Sequence, residues 1–106
     1  MKVALAQINP TVGDFSGNRR LIERAAHSAY ASGAHLVVFP ELSVCGYPAE
    51  DLLQREAFLA AHDRTLELLA SSLPPDVCVL VGCLARNHER ERGGRIIYFT
   101  STAGIN

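Results

Sequence analysis

An α/β fold on a largely parallel sheet is what this sequence predicts, and three observations carry the prediction. Short apolar runs of strand length alternate with longer segments whose apolar residues recur at helical spacing. The runs at 35–39 and 77–84 are apolar at successive positions, as in strands covered on both faces. Helix-length segments separate the first three strand-like runs, and a helical crossover is the usual way to join parallel neighbours.

The elements follow in chain order. Residues 2–8 read as a first strand, ended by Asn9-Pro10 and the turn material around Gly13-Asp14. From Asn18 to Ser32, Leu21, Ile22, Ala25, Ala26 and Ala29 make one apolar helical face, and Gly33 follows in the position that closes helices. His35 to Phe39 is the second strand. Ala49-Glu50-Asp51-Leu52-Leu53 can open a short helix, its acidic residues opposing the dipole. A longer helix is expected over Glu56–Leu73, with Phe58, His62, Thr65, Leu66 and Leu69 on one face and Pro74-Pro75-Asp76 beyond it. Val77 to Leu84 is the third strand, Asn87 to Gly94 a turn, and Arg95 to Thr100 a further strand. The last two strands, joined through Gly93-Gly94, read as an antiparallel hairpin.

With 106 residues the chain holds at most one small domain. Hydrophobic residues at 48% against 20% charged place it among globular chains. A net charge of −1 argues against nucleic acid or an anionic membrane surface as the main partner. Arg86, Arg90, Arg92 and Arg95 are interleaved with His88, Glu89 and Glu91, which reads as a solvated turn. No apolar run approaches the roughly 18 residues that span a bilayer, and the N-terminus lacks the pattern of a secretory signal, so a cytoplasmic location is expected. Cys45, Cys78 and Cys83 form no CxxC pair, so free thiols are expected and zinc is not. Cys78 and Cys83 lie five apart on one strand and point to opposite faces. His27, His35, His62 and His88 have no metal-ligand spacing, and no GxGxxG or GxxxxGK[ST] occurs.

The candidate site is Val37-Val38-Phe39-Pro40-Glu41-Leu42, where a buried strand meets a proline and then a carboxylate. In α/β proteins chemistry gathers at the C-terminal ends of strands. A carboxylate abutting a buried strand stands where desolvation can raise its pKa, which suits a general base near neutral pH. A structural loop carboxylate is the competing account. Cys45, four residues on, shows no histidine or helix terminus that would make it a nucleophile. Turn chemistry accounts for Gly46-Tyr47-Pro48 as well as a pocket lining does. Glu50-Asp51 reads as helix N-terminal charge before it reads as a metal pair.

Phe39-Pro40-Glu41-Leu42-Ser43-Val44-Cys45-Gly46-Tyr47-Pro48 resembles the first catalytic motif of the nitrilase (carbon–nitrogen hydrolase) superfamily. Ala4 to Phe15 and Gly17-Asn18 resemble its opening, and Gly46 to Leu53 is similar to the N-terminal glutaminase domain of glutamine-dependent NAD⁺ synthetases. The resemblance runs from Met1 to about Arg86 and fades beyond it. It implies a partial α-β-β-α sandwich of the nitrilase type in strand-helix-strand-helix-strand-strand order, with 1–106 as the N-terminal part of such a domain, incomplete at its C-terminal end. It implies glutamine as substrate, with a cysteine nucleophile, an oxyanion-stabilising lysine and Glu41 as general base. By position the cysteine and lysine fall outside these residues, and Lys2, the one lysine, cannot serve. The isolated chain is therefore expected to be inactive. Ammonia would pass to a separate domain that aminates ATP-activated nicotinic acid adenine dinucleotide, so ATP and Mg²⁺ are implied there and no cofactor here; the complete enzyme is expected to be a homo-oligomer. Two other accounts are a piece of a stand-alone amidase or ω-amidase of the same superfamily, and a non-catalytic remnant whose open sheet edges make it an interaction module.

Overall fold

A computed structural model of the chain describes residues 1–40, 43–46, 52, 55–74, 76–84 and 95–101. The elements are β1 (Val3–Leu5), α1 (Phe15–Ala31), β2 (Leu36–Val38), α2 (Glu56–Ser72), β3 (Cys78–Leu84) and β4 (Arg95–Ser101). They form one four-stranded sheet in the order β1-β2-β3-β4, with every neighbouring pair parallel. The α/β class and the element order are those expected, whereas the short helix at 49–53 and the turn at 87–94 fall largely or wholly outside the described residues.

The hairpin expectation is corrected: β4 runs parallel to β3, from Cys78 opposite Arg95 to Leu84 opposite Ser101. Gly93-Gly94 suggested a tight reversal, but such turns use two to five residues. Here residues 85–94 separate the strands, ten in all. A ten-residue segment reaches up to about 33 Å, enough to travel back along a seven-residue strand of about 23 Å and start again in the same direction.

Helix α1 begins earlier than periodicity alone suggested, because Asp14 caps it. The Asp14 carboxylate accepts from the Gly17 N–H at 3.0 Å, satisfying one of the orphan donors of the first turn. The helix ends as expected at Gly33, whose φ of 91° is the left-handed conformation glycine adopts freely. Ala34 N–H donates to Ala29 O and Gly33 N–H to Tyr30 O, both at 3.0 Å, the paired bonds of a Schellman motif. Helix α2 buries the expected face, Phe58, His62, Thr65, Leu66 and Leu69.

Ile22, Ala26 and Ala29 of α1 and Leu66, Leu69 and Ala70 of α2 pack in one cluster with Val37 of β2 and Val79, Val81 and Cys83 of β3. The register places Ala4, Val37 and Val79 side by side on the helix-covered face. The alternate residues Val3 and Leu36 with Cys78, and Leu5 and Val38 with Leu80, share the opposite face. That face is apolar but open among the described residues, Val3 being 48% and Leu5 75% exposed. Cys78 and Cys83 thus take opposite faces, as their spacing requires. No helix of the described residues is long and apolar enough to cross a membrane.

Candidate functional site

β2 is parallel to its neighbours, so the chain leaves it at the C-terminal edge of the sheet. Phe39 still runs alongside β3, its N–H donating to Leu80 O at 2.9 Å. Pro40 follows, half-buried. Glu41 and Leu42 lie outside the described residues, as do Tyr47 to Asp51. The described chain reaches the C-terminal edge of the sheet at Pro40, the residue before Glu41 in sequence.

The turn after Glu41 is buried throughout, from Ser43 to Gly46. Ser43 Oγ donates to Pro40 O at 2.6 Å, tying the two flanks of the 41–42 pair together. Val44 N–H reaches Gly82 O at 3.5 Å, and Gly13 N–H donates to Cys45 O at 3.0 Å. The Asn18 side chain is 1% exposed and joins the turn to the β1–α1 loop. Its Oδ1 accepts from Thr11 N–H at 2.8 Å, while Nδ2 donates to Thr11 O at 2.9 Å and to Val44 O at 3.0 Å. Gly46 has φ 88°, and a Cβ there would lie 2.5 Å from Val12 N and 2.6 Å from Thr11 C. Only glycine allows the two loops to approach so closely. Phe15 packs edge-on against Phe58 with ring centroids 5.1 Å apart, beside Cys45.

The sequence reading used Asn18 to start a helix and within the family's opening motif, and missed its buried hydrogen-bonding role. The signal was available: Asn18 shares a helical face with Ile22, Ala26 and Ala29, and a polar residue in a buried stripe must find partners.

The thiols nearest the turn are poor nucleophiles. Burial pushes Cys45 up to about 11, its own backbone hydrogen bond only partly opposing this. Burial pushes Cys83 up to about 12, with the charges of Cys45 and Asp63 adding to the rise. Neither carries appreciable thiolate at neutral pH, in line with the sequence expectation that Cys45 is no nucleophile. His62 is fully buried in the core, with Nδ1 3.2 Å from Asp63 Oδ1. Lys2 sits at the other end of the sheet from Pro40: its Nζ donates to Ser32 O at 2.6 Å and its N–H to His35 Nδ1 at 3.0 Å. It is therefore no oxyanion donor for a reaction at the strand C-termini.

An open groove of about 320 Å³ lies elsewhere, lined by Arg20, Glu23, Arg24, His27 and Ser72. Its Glu23 is held by Arg19 at 2.8 Å and by Ser72 Oγ at 2.5 Å, and His27 Nε2 lies 3.0 Å from Ser72 O. The contacts to Ser72 join α1 to α2, whereas the Arg19–Glu23 pair lies within α1. Among the described residues no group of three or more His, Cys, Asp or Glu could hold a metal ion.

Residues 2–103 match the carbon-nitrogen hydrolase family, so the match continues past Arg86, where the resemblance read from the sequence fades. The chain is 43% identical over 93 residues to the glutamine-dependent NAD(+) synthetase of Synechocystis sp., covering 88% of this chain and 17% of that protein. It is 37% identical over 106 residues to the enzyme of the same name from Thermotoga maritima, covering 99% of this chain and 18% of the relative. The fold superposes on the glutamine-dependent NAD+ synthetase of Acinetobacter baumannii, solved with ADP, with a TM-score of 0.74 and 35% identity over 80% of this chain and 16% of that one. The chain thus spans about a sixth of the length of these relatives.

Proposed function

The chain belongs to the carbon–nitrogen hydrolase family, and from that membership we propose that it is the N-terminal part of the glutaminase domain of a glutamine-dependent NAD⁺ synthetase, with Glu41 as its general base. The observation that carries the reading is that the relatives named above share one name over the segment containing Glu41. The open apolar face of the sheet supports it, because a sandwich requires a second layer there.

In this reading Glu41 takes the proton of a cysteine thiol supplied by a later part of the enzyme. The thiolate attacks the side-chain amide carbon of glutamine, and a lysine from that later part stabilises the oxyanion. The C–N bond breaks as protonated Glu41 returns its proton to the departing ammonia. Water, deprotonated by Glu41, then cleaves the thioester and releases glutamate. Pro40 and the Ser43–Pro40 hydrogen bond confine the chain on both sides of the base. ATP and Mg²⁺ serve the separate amidating domain, to which this segment contributes no ligand. The complete enzyme works in the cytoplasm as a homo-oligomer.

The test is a chimera in which the matching segment of the Synechocystis enzyme is replaced by that of this chain. NAD⁺ formation driven by glutamine is expected, and Glu41→Gln is expected to lower it by about 10²–10⁴-fold, the usual worth of a general base. Added ammonia should restore NAD⁺ formation in the variant. A Glu41→Gln chimera that still uses glutamine at the parental rate refutes the assignment. The 106-residue chain alone should release no ammonia from glutamine.

A further inference from the structure

We propose that Asn18 is a positioning residue for glutamine hydrolysis, its buried carboxamide holding the turn that follows Glu41 against the loop that precedes α1. The inference rests on the reading of Glu41 as general base and adds how this chain keeps that base in place.

Three of the four hydrogen-bonding positions of the Asn18 amide are used, and all three partners are backbone: Thr11 N–H, Thr11 O and Val44 O. The clamp therefore depends on the path of the two loops and not on the side chains they carry. Its site is buried, so each bond is costly to lose. Other contacts fix the same seam. Gly13 N–H holds Cys45 O, and the bare Cα of Gly46 lets the turn rest on Thr11 and Val12. On the opposite flank Phe39 is bonded to β3, and Pro40 to Ser43. The two residues 41–42 are thus bracketed by anchored neighbours, and Asn18 supplies the anchor that reaches from another element. A general base acts only within hydrogen-bond reach of its proton, and a displacement of about 1 Å can cost on the order of 10² in rate.

The amide is required for its donors. Asn18→Asp keeps the shape and the acceptor for Thr11 N–H, but sets a carboxylate oxygen against the carbonyls of Thr11 and Val44. In the chimera, Asn18→Asp is expected to lower the glutamine-driven kcat at pH 7 by about ten- to a hundredfold, with the KM for glutamine within about threefold of the parent. Added ammonia should restore NAD⁺ formation. The rising limb of the pH profile should also move up towards the ordinary thiol pKa of about 8.5, because the reaction then waits for the nucleophile to ionise unaided. The deficit accordingly shrinks at pH 9.

A variant that only lost folded enzyme would scale the whole profile down without moving it, and that result overturns the proposal, as does an unchanged profile. If Asn18→Asp cannot be obtained folded, Asn18→Ser removes the amide and both of its donors without burying a charge. The same upward shift is expected there, and an unmoved limb overturns the inference. Loss of glutamine use in Glu41→Gln together with a parental profile in both clamp variants would sink this inference alone. Retained glutamine use in Glu41→Gln would instead sink the reading beneath it.

Discussion

Replacing Gly46 with alanine should be among the most damaging single-methyl changes in the chain. Two costs combine. The residue has φ 88°, a conformation that costs an L-residue about 1–2 kcal/mol. The new Cβ would also lie 2.5 Å from Val12 N and 2.6 Å from both Thr11 C and Val12 Cα, all backbone atoms that no rotamer change can clear. Moving the loops apart adds about 1–3 kcal/mol of overpacking strain and puts the Gly13–Cys45 hydrogen bond, worth about 1 kcal/mol, at risk. The expected loss is about 3–6 kcal/mol, out of the roughly 5–15 kcal/mol that hold a small domain together. Gly33 is the internal control: its φ is 91°, yet a Cβ there meets nothing within 4 Å. Gly33→Ala should therefore cost only the conformational part, about 1–2 kcal/mol. Urea titrations of the 106-residue chain followed by circular dichroism measure both. With a slope of about 1–3 kcal/mol per molar, the extra cost of about 2–4 kcal/mol should lower the midpoint for Gly46→Ala by about 0.7–4 M more than for Gly33→Ala. Equal midpoints for the two variants would refute the close-approach argument and leave only glycine's backbone freedom.

Gly17→Ala in the first turn of α1 should be nearly neutral in the same titration. The gain in helix propensity, about 1 kcal/mol, is offset by loss of a similar cap energy, because the Asp14 carboxylate occupies the space of the missing methyl. Native-state labelling with a thiol reagent at pH 8 should modify Cys78, which is half-buried, and spare Cys45 and Cys83; in urea all three should react. The two buried thiols also set an alkaline limit. Their folded pKa values of about 11 and about 12 stand above the ordinary thiol value, so the folded chain binds these protons more tightly. That contribution is complete below pH 9 and is lost as pH rises towards 12, and the urea midpoint should fall across that window. A midpoint flat from pH 8.5 to 10.5 would contradict it.

Much of this molecule follows from periodicity. The stripe of Ile22, Ala26 and Ala29, the face from Phe58 to Leu69, and the continuous run from Val77 to Leu84 each name their element because burial repeats with the geometry of the backbone. Gly33 marks a helix end for a reason local to its own dihedral angles. The segment from Phe39 to Pro48 points to the family through its own residue order, and the match over residues 2–103 bears that out. These properties depend on neighbours close along the chain, so the sequence by itself determines them. The direction of β4 does not: Gly93-Gly94 suits a reversal, yet the ten residues after Leu84 are also long enough to carry the chain back for a parallel pairing. The same holds for Asn18 and Gly46. Nothing local tells an asparagine at a helix start that its amide will meet Val44, 26 residues on, or a glycine that Thr11 will press against its Cα. Periodicity states which face is buried, whereas only the tertiary structure decides what it is buried against, because those partners are brought together by the packing of α1 and the parallel sheet.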